Sequence, residues 1–161
     1  MAADTRPVIV AFDGSPEAEA AVRAAAGLFG SRPLVVVSVW EPGLAMAMTP
    51  PPDGLTGMSV STPSPETMLT MDRIQRERAT ETATAGAELA RGLGATVEPH
   101  PVADEVNVAE TLLSVAEQRD AAAVVVGSRG LGRVKSKLLG STSHGLLQHA
   151  RRPVVVVREP E

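Results

Sequence analysis

Cysteine is absent from this 161-residue chain, and so is tyrosine. Without cysteine there are no disulfides, no thiolate zinc sites and no thiol nucleophile. Aromatic residues are limited to Phe12, Phe29 and Trp40, too few for the stacking platforms that hold single-stranded nucleic acid. Basic charge is not in excess either, since 15 Lys and Arg face 19 Asp and Glu for a net charge of −4. That balance supplies no global attraction for nucleic acid or an anionic membrane. No apolar run has the length of a transmembrane helix, and the opening "MAADTRPVIVAFDGS" does not fit a secretory signal. These absences lead to the expectation of a cytoplasmic protein with neither a membrane nor a nucleic-acid partner, folded as one domain over residues 1–161.

What is present is valine, leucine and alanine in short runs that alternate with amphipathic stretches. Residues 7–12, "PVIVAF", read as a buried strand. Ser15, Pro16, Glu17 and Glu19 then supply an N-cap, a first-turn proline and acids at the positive end of a helix that Gly30 can stop. Ala18, Ala21, Val22, Ala25 and Phe29 share its apolar face. Residues 33–40 give a second strand, and 66–93 a long helix with Met68, Met71, Ile74, Ala87, Ala90 and Leu93 on an imperfect apolar side. "GATVEPHPVA" predicts a third strand, with Pro99 and Pro101 placing part of it at an edge or outside the ladder. Asn107 and Glu110 form a capping box for a helix that buries Ala109, Leu112, Leu113 and Ala116. "AAAVVVG" and the final "PVVVV" complete five strands. Buried strands alternating with helices predict a single doubly wound α/β domain, its parallel sheet covered by helices on both faces. Between about 41 and 66, prolines, glycines and Met46, Met48 and Met58 read as a long loop that either packs or contacts a partner through its methionines or stays a mobile surface loop.

The late segment "VVVGSRGLGRVKSKLLGSTSHG" carries the candidate chemistry. Gly127 ends the fourth strand, where open α/β sheets bind ligands. Gly127 and Gly130 permit uncommon dihedrals and close approach, and the amides of Ser128 and Arg129 between them suggest an anion nest. Gly140, Ser141, Thr142 and Ser143 open another helix, whose free N–H groups and positive dipole end suit a phosphate. The same residues also fit a plainer reading, with Gly127 ending a strand, Gly130 in a turn, Gly140 closing a helix and Ser141 capping the next. A Walker A loop does not fit, because Arg133 and Val134 stand where lysine and a hydroxyl residue should follow Gly132. A G-x-G-x-x-G loop is missing as well. In a sheet of order 3-2-1-4-5, Asp13 would face Gly127 across the switch point, either as a ligand acceptor or as a turn former.

The spacing G-x2-G-x9-G-[S/T], met by Gly127, Gly130, Gly140 and Ser141, resembles the universal stress protein family of the ATP-binding type, as do "VIVAFDGS", "VVVG" and the closing "PVVVV". The resemblance implies a five-stranded sheet of order 3-2-1-4-5 that binds an adenine nucleotide. It implies that Ala11, Phe12 and Asp13 hold base and ribose, with Val39 lining the adenine pocket. Val126, Gly127, Arg129, Gly130, Gly140, Ser141, Thr142 and Ser143 are then implied to hold ribose and phosphates. ATP, accompanied by Mg²⁺ or Mn²⁺, is the implied ligand, although no acidic cluster marks a dedicated metal site. AMP or cyclic AMP, and a protein-interaction module that uses no nucleotide, stand as alternatives.

Catalytic groups are thin. Asp13, Ser15 and His144 make a triad only on paper, without a G-x-S-x-G elbow, and His100 and His149 lack a metal-ligand pattern. Arg133, Lys135 and Lys137 add local attraction for phosphate or a solvated face. The expectation is a stress-response or regulatory protein that acts through an unknown downstream protein, with ATP hydrolysis absent or slow. An apolar strand at the sheet edge is a pairing liability, so a homodimer through the C-terminal strand is expected.

Overall fold

In the computed structural model, the residues described are 4–43, 63–104, 106–130 and 139–159. The middle of the Met-containing loop, with Met46, Met48 and Met58, and the connector carrying Arg133, Lys135 and Lys137 lie outside them.

The described elements run β1 (Val8–Ala11), α1 (Pro16–Phe29), β2 (Leu34–Trp40), α2 (Pro65–Gly92), β3 (Val97–Ala103), α3 (Val108–Gln118), β4 (Ala123–Gly127), α4 (Ser141–His149) and β5 (Val154–Val157). All pairings are parallel, in the order β3-β2-β1-β4-β5. This is the doubly wound α/β sheet expected. Its order reverses between β1 and β4, because the chain builds outward from β1 through β2 to β3 and then returns to lay β4 and β5 on the other side of β1.

Alternation along each strand divides the core in two. Val8, Val10, Leu34, Val36, Ala123 and Val125 pack with α1 and α2, whereas Ile9, Val35, Val37, Val124 and Val126 pack with α3 and α4. Both faces are therefore dry, which is why the strands are continuous valine runs rather than alternating apolar and polar residues.

Local chemistry sets the element ends. The Ser15 hydroxyl accepts from the Ala18 amide at 3.1 Å, and Asn107 Oδ1 accepts from the Glu110 amide at 2.9 Å. Gly30 (φ 54°) closes α1 in a left-handed conformation that glycine tolerates best. β3 is paired along its whole length with Leu34–Trp40, so neither proline leaves the ladder. Pro99 and Pro101 are two apart, which turns both missing N–H groups toward the open side of this edge strand.

The buried stripe of α2 keeps Ala87 and Ala90 of the expected face but not its larger side chains. It consists of Ala79, Ala83, Gly86, Ala87 and Ala90, while Met71 and Leu93 are exposed. At 28 residues the helix is about 42 Å long, roughly twice the span of the strands beneath it. Only its second half can cover the sheet, and small residues let it lie close: a Cβ on Gly86 would come within 2.8 Å of Phe12 and Val36.

Candidate functional site

A cleft of about 590 Å³ opens at the carboxyl end of β1 and β4, over the switch point. One wall is apolar, formed by Ala11 (β1), Val37 and Val39 (β2), Val126 (β4), and Val108 and Leu112 of α3. The other is polar, with Asp13, Arg129, Gly130, Gly140, Ser141, Thr142 and Ser143. Phe12, Ala18, Gly127 and Leu139 complete it. The volume and the division into a greasy wall with a few convergent polar groups are those of a small-molecule site. All twelve residues singled out from the sequence line this one cleft, though they come from four separate segments of the chain.

The turn after β1 is built around Asp13. Its Oδ1 accepts from the Ser15 amide at 2.9 Å, and Gly14 (φ 82°) supplies the left-handed residue that the bend needs. The carboxylate therefore shapes the turn while also lining the cleft, so the two alternatives for Asp13 are not exclusive. Ser15 is buried and committed to its cap, and His144 lines a neighbouring groove rather than the cleft. Asp13, Ser15 and His144 therefore do not assemble a triad.

The late glycines act differently from the expectation. Gly127 and Gly130 are absent from the positive-φ residues, so unusual dihedrals are not what they provide. A Cβ on Gly127 would sit 2.9 Å from the backbone carbon and oxygen and the Cβ of Glu17, which makes its bareness a condition for seating the first turn of α1 against β4. A Cβ on Gly130 would meet Asp13 Oδ2 at 2.6 Å, so the two cleft loops touch there. The amide of Ser128 donates to Val157 O at 2.8 Å, extending the β4–β5 ladder, and is taken away from any anion nest. Its carbonyl accepts from the Gly140 amide at 2.8 Å, joining the two glycine segments directly.

Gly140 is the N-cap of α4 (φ −62°, ψ 160°) and makes no side-chain capping bond. Of the plainer reading, the N-cap falls at Gly140 rather than Ser141, which is already the first helical residue, and a helix that Gly140 would close lies outside the described residues. The first intrahelical bond is His144 N to Gly140 O at 3.0 Å, so the amides of Ser141, Thr142 and Ser143 precede the ladder and point along the helix axis at the cleft. With the helix dipole they form an anion-attracting end. Ser143 is buried, and its hydroxyl donates to Gly127 O at 2.8 Å, so its proton holds α4 to the end of β4.

Sequence reasoning missed Ala18, Val37, Val108, Leu112 and Leu139 as lining residues. Leu112 had been read as core and Val108 lies beside a recognised cap, but nothing local shows that α3 crosses over the end of β2. It also missed Glu17, whose Oε1 lies 3.4 Å from Arg129 Nη2. Among the described residues, no group of three His, Asp or Glu could hold a metal ion, and Asp13 is the one carboxylate lining the cleft. None of the described helices is long and apolar enough to cross a membrane.

A parallel β3-β2-β1-β4-β5 sheet with a mostly apolar crevice over its switch point, carrying a few polar groups, defines a doubly wound α/β domain. More narrowly, the chain belongs to the universal stress protein family, whose model matches residues 5–158. It is 31% identical over 157 residues to a universal stress protein of Mycobacterium tuberculosis, covering 96% of this chain and 48% of that protein. The chain thus spans about half the length of the curated relatives it matches most fully. Among solved structures, a universal stress protein from Archaeoglobus fulgidus in complex with dAMP aligns with a TM-score of 0.60 at 25% identity, covering 93% of this chain and 95% of that one. Another universal stress protein, in complex with cAMP, aligns with a TM-score of 0.59 at 21% identity, covering 96% and 97% respectively. Some proteins of this fold therefore bind adenine nucleotides.

Proposed function

We propose that this protein binds an adenine nucleotide, with ATP the preferred ligand, and acts as a stress-response or regulatory protein whose cleft loops report occupancy to a downstream protein. The observation that carries the reading is the two-sided cleft. The apolar lining, with Val39, Val126 and Leu112, suits a base, and the open start of α4 with Arg129 suits phosphates. Asp13 lines the same cleft, and its carboxylate can accept from ribose hydroxyls. The relatives in complex with dAMP and cAMP support the choice of adenine. They also keep a monophosphate preference in contention, which comparative titration of ATP, AMP and cAMP resolves.

The described residues do not fit a dedicated Mg²⁺ or Mn²⁺ site, because a single carboxylate lines the cleft. A divalent cation in this reading arrives on the triphosphate, and no step depends on protein ligands to it. Hydrolysis is absent or slow: the described lining holds neither a histidine nor a lysine, and Asp13 already accepts from the Ser15 amide. Calorimetric titration of ATP with Mg²⁺ into ligand-free protein tests the proposal, and no heat over the physiological concentration range refutes it.

The homodimer belongs to the same reading. β5 is an outer strand of four half-buried valines with one open edge, and pairing with a second copy would satisfy that edge. Sedimentation velocity should show a dimer, and a monomer at every concentration rules it out.

A further inference from the structure

We infer that Glu17 is a specificity-determining residue of the cleft: it competes with the ligand's phosphates for Arg129 and so sets how strongly the site responds to phosphate charge. This rests on the adenine-nucleotide reading above.

Glu17 sits in the first turn of α1, immediately after Pro16. Its backbone is fixed, because the contact with Gly127 leaves no room between α1 and the end of β4. Arg129 is the freer partner, with a side chain 41% exposed against 16% for Glu17. Of the two, only Arg129 lines the cleft. Their Nη2–Oε1 separation of 3.4 Å is an ion pair without a directed hydrogen bond, and its arginine side is open to solvent, which weakens it. A phosphate can offer the planar guanidinium a bidentate, charge-assisted pair, which is stronger. Arg129 therefore turns from Glu17 to the ligand at small cost.

The Glu17 carboxylate stays behind next to the cleft, outside its lining, after that exchange. Together with Asp13 on the opposite loop, it opposes negative charge in the ligand. The penalty grows with the number of phosphates, so Glu17 holds back triphosphate more than monophosphate and leaves an uncharged nucleoside alone.

The test is titration of ATP, AMP, adenosine and inorganic tripolyphosphate, without divalent cations, against the parent protein and the Glu17→Gln, Glu17→Asp and Arg129→Gln variants. Glu17→Gln should tighten ATP on the order of fivefold and AMP about twofold or less, with adenosine unchanged. Glu17→Asp, which keeps the charge, should stay near the parent, and Arg129→Gln should weaken ATP more than AMP. Raising salt should shrink the Glu17→Gln gain. An unchanged ATP-to-AMP ratio in Glu17→Gln, or an equal shift that includes adenosine, overturns the inference while leaving nucleotide binding intact. Tripolyphosphate binding that tightens in Glu17→Gln, with no binding of any adenine compound, sustains the role of Glu17 and overturns the adenine reading. No binding of any ligand to any form overturns both.

Discussion

Adding one methyl group at Gly127 and, separately, at Gly130 distinguishes the two tasks of the glycine segment, because the added carbon meets different neighbours. At Gly127 it would sit 2.9 Å from the backbone carbon and oxygen of Glu17, inside the first turn of α1. Neither strand nor helix can yield without disturbing the buried Val125 and Ala18, so Gly127→Ala should cost about 1–3 kcal/mol of stability. For a domain of this size that lowers Tm by roughly 3–10 °C. At Gly130 the carbon would meet Asp13 Oδ2 at 2.6 Å, on an exposed loop. The carboxylate can rotate away, at a stability cost of about 1 kcal/mol or less. The rotation removes Asp13 from the position proposed for ribose, so ATP affinity in Gly130→Ala should fall about tenfold, equivalent to the loss of one well-formed hydrogen bond to a charged group. Differential scanning calorimetry and isothermal titration on both variants, with Asp13→Ala and the double variant Asp13→Ala/Gly130→Ala, make the assay. The double variant should bind no worse than Asp13→Ala alone, since both changes act through one carboxylate. Equal Tm losses at the two glycines with ATP affinity unchanged in Gly130→Ala, or additive affinity losses in the double variant, would refute the reasoning.

Ser143→Ala should lower stability by about 1–2 kcal/mol in denaturant titration, because the buried Gly127 carbonyl loses the hydroxyl that donates to it. Its ATP affinity should stay within about twofold of the parent, since the backbone amide remains; a large loss of affinity would show that the hydroxyl itself contacts ligand. Burial, with Arg119 adding to it, holds His100 below the ordinary imidazole pKa despite the opposing Glu98. The folded form thus binds a proton less readily than the unfolded chain, and the stability from neutral His100 is complete above the unfolded value of about 6.5. It is lost as pH falls through the lower folded value, so Tm should drop between pH 7 and 5 and do so less in His100→Gln. Glu98 is depressed by its hydrogen bond to Arg119, so both proteins should share a further loss at more acid pH, below the ordinary glutamate value. A His100→Gln profile parallel to the parent between pH 7 and 5 would dismiss the histidine.

Much of the architecture was legible because it depends on local chemistry. Ser15, Asn107 and Gly30 cap or stop helices through contacts within a few residues. The valine runs of β1, β2 and β4 announce strands buried on both faces. The apolar side of α2 was less readable, since methionine and isoleucine in its first half outweigh alanine in any hydropathy count. Only the length of the sheet shows that the alanines of the second half are the covered ones. The candidate site was read in part. The recurrence of Gly127, Gly130, Gly140 and Ser141 identified its polar half, whereas Val37, Val108 and Leu112 reach the cleft through the crossing of α3 over β2.

The sequence by itself determined the period and the punctuation of the chain: which stretches are strand, which are helix, and where the turns and caps between them fall. It also placed Asp13 and Gly127 on neighbouring strand ends, once the alternation of elements had defined the sheet. What each glycine is for was decided by tertiary structure alone. Gly127 is bare because of Glu17, and Gly130 because of Asp13, contacts across more than one hundred residues of chain. The hydroxyl of Ser143 and the amide of Ser128 are likewise spent on Gly127 and Val157. A donor's or a methyl group's worth depends on which atoms lie within about 3–4 Å of it, and for these residues that distance is set by packing between elements.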